Sequence, residues 1–178
     1  PVSVNVVPVN DGIQTLAIGD VVNGAVTVPG QSQTHTFTLA TATTIYFDSL
    51  TNNGSLRWSL HGPTGVLVNN RTFTTTDSGQ GYSVFNLTAG SYTVTVDGSG
   101  ENTGGYQFRL FDLAGAAPFT SGVQVSGTLN PASQTRAYRF TLAAGTRVYF
   151  DSIASANLVN MYWRCIDPYG DVVLANSF

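Results

Sequence analysis

Lysine is absent from this 178-residue chain, glutamate occurs only as Glu101, cysteine only as Cys165, and histidine only as His35 and His61. Charged residues make up 10% of the sequence, against roughly a quarter in ordinary globular proteins. The seven basic residues are scattered arginines, and the formal net charge is −3. Without a basic cluster, neither nucleic acid nor an anionic membrane surface is an expected partner. No apolar run approaches the roughly 18 residues needed to span a bilayer, and no signal-peptide pattern is present. The sequence opens on Pro1, with no initiator methionine, and reads as a processed or excised piece of something longer. Cys165 has no partner for a disulfide and is expected to act as a small buried hydrophobe. Lack of disulfides does not exclude secretion, because a domain of about 100 residues can bury enough core without them.

Helix-favouring residues are scarce, and no long window shows an apolar stripe at helical spacing. Their place is taken by threonine, serine, asparagine and 19 glycines, which favour strands and turns. The wording is also repeated. Phe37-Thr38-Leu39 and Tyr46-Phe47-Asp48-Ser49 recur as Phe140-Thr141-Leu142 and Tyr149-Phe150-Asp151-Ser152, 103 positions later. Val22, Gly24 and Gln31 fall on Val125, Gly127 and Gln134 at the same offset. Past the Asp-Ser pair the second copy carries two extra residues, and Trp58, Pro63, Gly65 and Val68 then match Trp163, Pro168, Gly170 and Val173. This period is too long for a solenoid unit, typically about 20 to 50 residues, and suits a duplicated small domain.

Alternation with period two marks the strands. Phe37 and Leu39 share a face with His35, while the threonines between them point the other way. Leu56, Trp58 and Leu60 alternate with Arg57, Ser59 and His61, and Tyr92, Val94 and Val96 alternate with Thr93 and Thr95. Tyr106, Phe108 and Leu110 alternate with Gln107, Arg109 and Phe111. Turns such as Pro29-Gly30, Asn53-Gly54 and Gly62-Pro63-Thr64-Gly65 punctuate them. The expected fold is all-β, as tandem antiparallel β-sandwich (jelly-roll-like) domains with the second copy incomplete. Residues 1–12 are expected to be the terminal strand of a preceding unit or a linker, and 13–113 a complete first repeat. Residues 114–120 read as a linker and 121–178 as the first part of a second repeat. The expected core includes Phe37, Phe47, Trp58 and Tyr92 in the first copy, and Phe140, Phe150 and Trp163 in the second.

Chemistry-bearing clusters are few. The two histidines are not repeated between the copies, and no nucleophile elbow, metalloprotease signature or phosphate loop occurs, so no catalytic residue is assigned. Asp48 and Asp151 stand out because the Phe-Asp-Ser triplet is kept in both copies. A carboxylate closing a strand caps the following loop by accepting backbone N–H bonds. It also suits calcium, which takes six to eight oxygen ligands; Asp77 and Asp97 are the partners available in the first copy. Calcium is therefore the one cofactor weighed, with Asp48 and Asp151 as its candidate ligands.

The order Gly24, Phe37-x-Leu39, Tyr46-Phe47, Trp58-x-Leu60-x-x-Pro63-x-Gly65, Leu87-x-Ala89-Gly90-x-Tyr92-x-Val94-x-Val96 and Gly105-Tyr106-x-Phe108 resembles the bacterial pre-peptidase C-terminal domain. The likeness covers nearly all of 19–178. It implies a β-sandwich module of about 100 residues, appended to secreted proteases or strung in tandem on large surface proteins. Members of that family often carry an acidic residue before the central strand, where this chain has Asn53-Gly54-Ser55. That departure weakens a calcium site carried over from relatives.

The expected function is a non-catalytic structural or adhesive repeat module of a large extracellular or cell-surface bacterial protein, such as an adhesin, sheath or fibre. The alternative is an accessory polysaccharide- or collagen-binding domain of a secreted hydrolase. Expected partners are neighbouring repeats or copies of the chain; the incomplete second unit is completed either by strands of the same gene product or by strand complementation, with Val2–Val7 as the donor strand.

Overall fold

A computed structural model describes residues 1–77, 81–153 and 161–178. The first repeat is a sandwich of two sheets. Strands β1 (Gly12–Thr15), β3 (Ser32–Leu39), β8 (Gly90–Gly98), β5 (Leu56–Gly62) and β6 (Gly65–Thr72) form a five-stranded sheet in the order β1-β3-β8-β5-β6. Strands β2 (Val21–Val26), β9 (Gly104–Asp112), β4 (Thr43–Ser49) and β7 (Val84–Leu87) form the opposing four-stranded sheet, in the order β2-β9-β4-β7. All pairings are antiparallel except β1 with β3, which run parallel. Short 3-10 turns occur at Phe73–Thr75 and Leu113–Gly115.

The alternating residues of the two sheets meet in one core. Phe37, Phe47, Trp58 and Tyr92 are buried there together with Leu60, Val94, Tyr106 and Phe108. Phe47 lies stacked between Trp58, at a centroid distance of 3.9 Å, and Phe108, at 4.9 Å. Burying the Trp58 indole requires a partner for its N–H, which donates to Thr76 Oγ1 at 2.7 Å. Gly24 on β2 sits against the Tyr106 ring so closely that a Cβ there would lie 2.3 Å from its tip. His35 is also in this core, with Nε2 2.7 Å from Tyr106 Oη.

The second copy repeats parts of this plan. Ala117–Pro118 (β10) pairs in parallel with Tyr138–Arg139 (β11), matching Ala117 to Tyr138. In the first repeat Gln14 is matched to His35, the same pair of positions displaced by the repeat offset. The closing bond recurs too: Leu16 N–H donates to Thr36 O at 2.9 Å, and Phe119 N–H to Arg139 O at 2.7 Å. Tyr162–Ile166 (β12) and Val172–Ser177 (β13) form an antiparallel hairpin that reproduces β5–β6.

Elsewhere the structure departs from expectation. Residues Phe140 to Leu142 do not continue the strand, and Phe140 is 37% exposed. In the first repeat the equivalent strand β3 is zipped along its length to β8; among the described residues the second copy's counterpart, Tyr138–Arg139, is paired only with β10. Phe140, Phe150 and Trp163 nevertheless meet, with centroids 6.1 Å apart for the first pair and 4.9 Å for the second. Val2 to Val7, expected as a terminal strand of a preceding unit or a linker, is irregular and exposed. Cys165, expected to be buried, is half-buried on β12. The two-residue insertion falls in the stretch after Ser152, of which 154–160 lie outside the described residues.

Candidate functional site

Strand β4 ends in IYFDS, and its alternation should turn Ile45, Phe47 and Ser49 inward and Tyr46 and Asp48 outward. All five are buried, with Asp48 at 0% exposure. The outer face of the four-stranded sheet is covered at this point by the second copy. Asp48 lies opposite Arg109 in the β4–β9 register, so both side chains project from the same face. Arg109 Nη2 donates to Asp48 Oδ2 at 2.5 Å. The other carboxylate oxygen accepts from the backbone N–H of Thr135, in the second copy, at 2.8 Å. Arg109 Nη2 also donates to Thr135 O at 3.1 Å. The acid and the base thus hold the donor and the acceptor of one residue of the following repeat. Thr135 Oγ1 donates to Tyr46 Oη at 3.4 Å, and Tyr46 is stacked on Phe111.

Further contacts extend this seam. Ser49 N–H donates to Asp77 Oδ2 at 2.7 Å, and Arg164 Nη2 donates to Asp77 O at 3.3 Å. Asn86 Nδ2 donates to Tyr169 O. A shallow groove of about 390 Å³ runs beside Thr135, lined by Arg109, Phe111, Gln134 and Tyr138 among others.

Burial shapes the electrostatics. Desolvation raises the Asp48 carboxyl above its ordinary value, and the Thr135 N–H and Arg109 pull it down without overcoming that effect. Asp77 is pushed up to about 7, mainly by burial and further by the negative charge of Asp48; the Ser49 N–H and Arg164 oppose the rise. Burial raises the Tyr46 phenol as well. A carboxylate already occupied by a guanidinium and an amide has little capacity left as a nucleophile or base. The arrangement is suited to holding two segments together.

Of the calcium candidates, Asp48 is locked in this pair, and Asp151 is exposed at the equivalent place in the second copy. Asp77 lies near enough to Asp48 to feel its charge. Asp97 belongs to the opposite sheet, opposite Arg57. Among the described residues, no group of three or more metal-ligating side chains comes together. The expectation that Asp48 caps a loop by accepting backbone N–H bonds meets one such bond, from the next repeat rather than from its own loop. Arg109, the principal partner of Asp48, was not singled out by sequence reasoning. Its signal was a charge in the middle of a strand otherwise read as Tyr106, Phe108 and Leu110 facing inward.

No family model matches the chain, and no curated protein matches it. Among solved structures, the chain is similar to the pre-peptidase C-terminal domain of a collagenase from Bacillus anthracis, at 17% sequence identity and a TM-score of 0.43, covering 60% of this chain and 99% of that one.

Proposed function

We propose that the chain is a non-catalytic structural and adhesive module, made of tandem β-sandwich repeats and belonging to a larger extracellular or cell-surface protein. The observation that carries this reading is that the two copies share a register. The parallel edge and the central hairpin recur at the positions that the sequence repeat dictates, and one copy seats on the other through main-chain hydrogen bonds of Thr135 to the Asp48–Arg109 pair. Spacing and orientation are what such a design conserves. The resemblance of the sequence to modules strung along surface proteins supports the same reading, as does a surface poor in charge. Neighbouring repeats or further copies of the chain are the proposed partners.

Single-molecule pulling on the chain tests this. A load-bearing module gives one cooperative unfolding step of about 35 nm for each complete repeat of about 100 residues. Saturable retention on collagen or on an insoluble polysaccharide, with unfolding at negligible force, would instead support an accessory domain that binds a polymer.

A further inference from the structure

The two repeats carry the same turn device ahead of β3 and β11. In the first, Gln31 Oε1 accepts from the N–H of Thr27 at 2.6 Å, and Gln31 N–H donates to Val28 O. In the second, Gln134 Oε1 accepts from the N–H of Asn130 at 3.2 Å, and Gln134 N–H donates to Pro131 O. The glutamine closes the turn with its own side chain, and the next residue, Ser32 or Thr135, presents a backbone N–H outward. Each N–H is taken by an aspartate. Ser32 N–H donates to Asp11 Oδ1 at 2.7 Å, and Thr135 N–H donates to Asp48 Oδ1 at 2.8 Å. Asp11 precedes the first repeat's opening strand, and the equivalent position in the second repeat is Ala114.

The donor is therefore preserved while the carboxylate changes its origin. We infer that the N–H following the glutamine-closed turn is the point by which each repeat is seated on what precedes it, and that Asp48 with Arg109 is the receptor on the first repeat for the second. The receptor reads main chain. Asp48 takes the N–H of Thr135 and Arg109 takes its C=O, so the incoming residue cannot be proline, and the Thr135 hydroxyl adds only the longer contact to Tyr46. The receptor's partner class is the main chain leaving a tight turn, supplied here by Thr135 of the second repeat. In the first repeat Asp11 fills the same role from within, with Gln31 Nε2 fastening Asn10 O beside it at 2.6 Å. The N–H of Ser32 is thereby closed to the receptor of another unit. This inference does not depend on what the repeats are used for.

Removing Asp48 outright would strand the Arg109 charge and endanger the first repeat, so the test acts on the donor. Spin labels are placed at Thr64→Cys and Ala143→Cys, two exposed positions in the two repeats, on a Cys165→Ser background. Pulsed electron resonance then reads the spread of distances between them. In the parent and in Thr135→Ala, which keeps the N–H, the distribution is expected to be narrow. In Thr135→Pro it is expected to broaden at least twofold. A backbone ester at 135, replacing N–H by O and keeping the side chain, should do the same without a ring constraint. Near-ultraviolet circular dichroism, unchanged in all variants, reports the first repeat intact. An ester distribution as narrow as the parent's would overturn the inference. So would broadening in Thr135→Ala, which would assign the docking to the hydroxyl contact with Tyr46.

Discussion

Tyr46 and Asp48 have the parity of water-facing residues and are nevertheless buried, because the second copy lies over them. Alternation within one strand reports which residues share a face, and it is silent about what covers the outer one. Trp58 was legible from parity alone, since Leu56 and Leu60, two residues away on either side, fix the inward face. The Phe-Asp-Ser triplet marks Asp48, whereas Asp151, in the same triplet of the second copy, is exposed. The partner of Asp48 is a long-range arginine, which spacing cannot reveal. Trp58→Ala removes the ring stacked on Phe47, and deleting a buried aromatic costs about 3 to 5 kcal/mol; chemical denaturation should show a correspondingly lower midpoint for the first repeat. Asp77 provides a pH-dependent test. Its carboxyl is raised from 3.8 to about 7, so in that interval the folded chain keeps a proton that the unfolded chain has released. The stability attached to that proton is complete below 3.8 and is lost as pH rises through about 7. His35, whose pKa is lowered from 6.5 by burial, has the opposite sign and adds stability as pH rises toward 6.5. The net profile mixes the two, and the difference between the parent and Asp77→Asn isolates the carboxyl. The amide introduced by Asp77→Asn can still accept from the Ser49 N–H, so the variant should lose the decline, up to about 1.4 kcal/mol per pH unit, and be the more stable protein at about pH 8. Parallel melting curves from about pH 4 to 8 would contradict this account of Asp77.

At the scale of elements, strands with a partner on both sides were the most legible. β3, β5, β8 and β9 each carry alternation that matches their burial. β1 was not legible, because its four residues, GIQT, have no alternation, and its parallel pairing is decided by where the chain returns to the edge of β3. Strand formation also failed where the sequence pattern was strong. Tyr138, Phe140 and Leu142 alternate as well as His35, Phe37 and Leu39, yet only Tyr138–Arg139 is a strand. Pattern supplies a face, and a ladder needs a neighbour to supply hydrogen bonds. Glycine gives a sharper test at β2. Gly24 faces the buried Tyr106 ring, whose hydroxyl is held by His35, so the ring cannot easily swing away from a new methyl group. Gly24→Ala should destabilise the first repeat by about 1 to 3 kcal/mol, measured by denaturant titration. Gly65→Ala offers a contrast: nothing stands within 4 Å of its Cβ position, and its cost would come from the positive φ of 106° alone.

For the whole molecule, the first repeat contains a closed core, and the second copy is a set of recurring pieces arranged against it. Its aromatic residues touch one another, but most of its side chains remain partly or fully exposed among the described residues. Stability should therefore be unevenly distributed, with the sandwich unfolding as one unit and the second copy opening at lower cost. Native-state hydrogen exchange with residue resolution is the direct measurement. The amides of β3, β5, β8 and β9 should exchange together and most slowly, at the rate set by global unfolding. Those of β12 and β13 should exchange sooner, with the Thr135 amide protected by its bond to Asp48 beyond its neighbours in sequence. If the β12 and β13 amides exchanged as slowly as those of β8, or if Thr135 were no better protected than Arg136, a complete first sandwich with the second copy seated on Asp48 would be the wrong description of this chain.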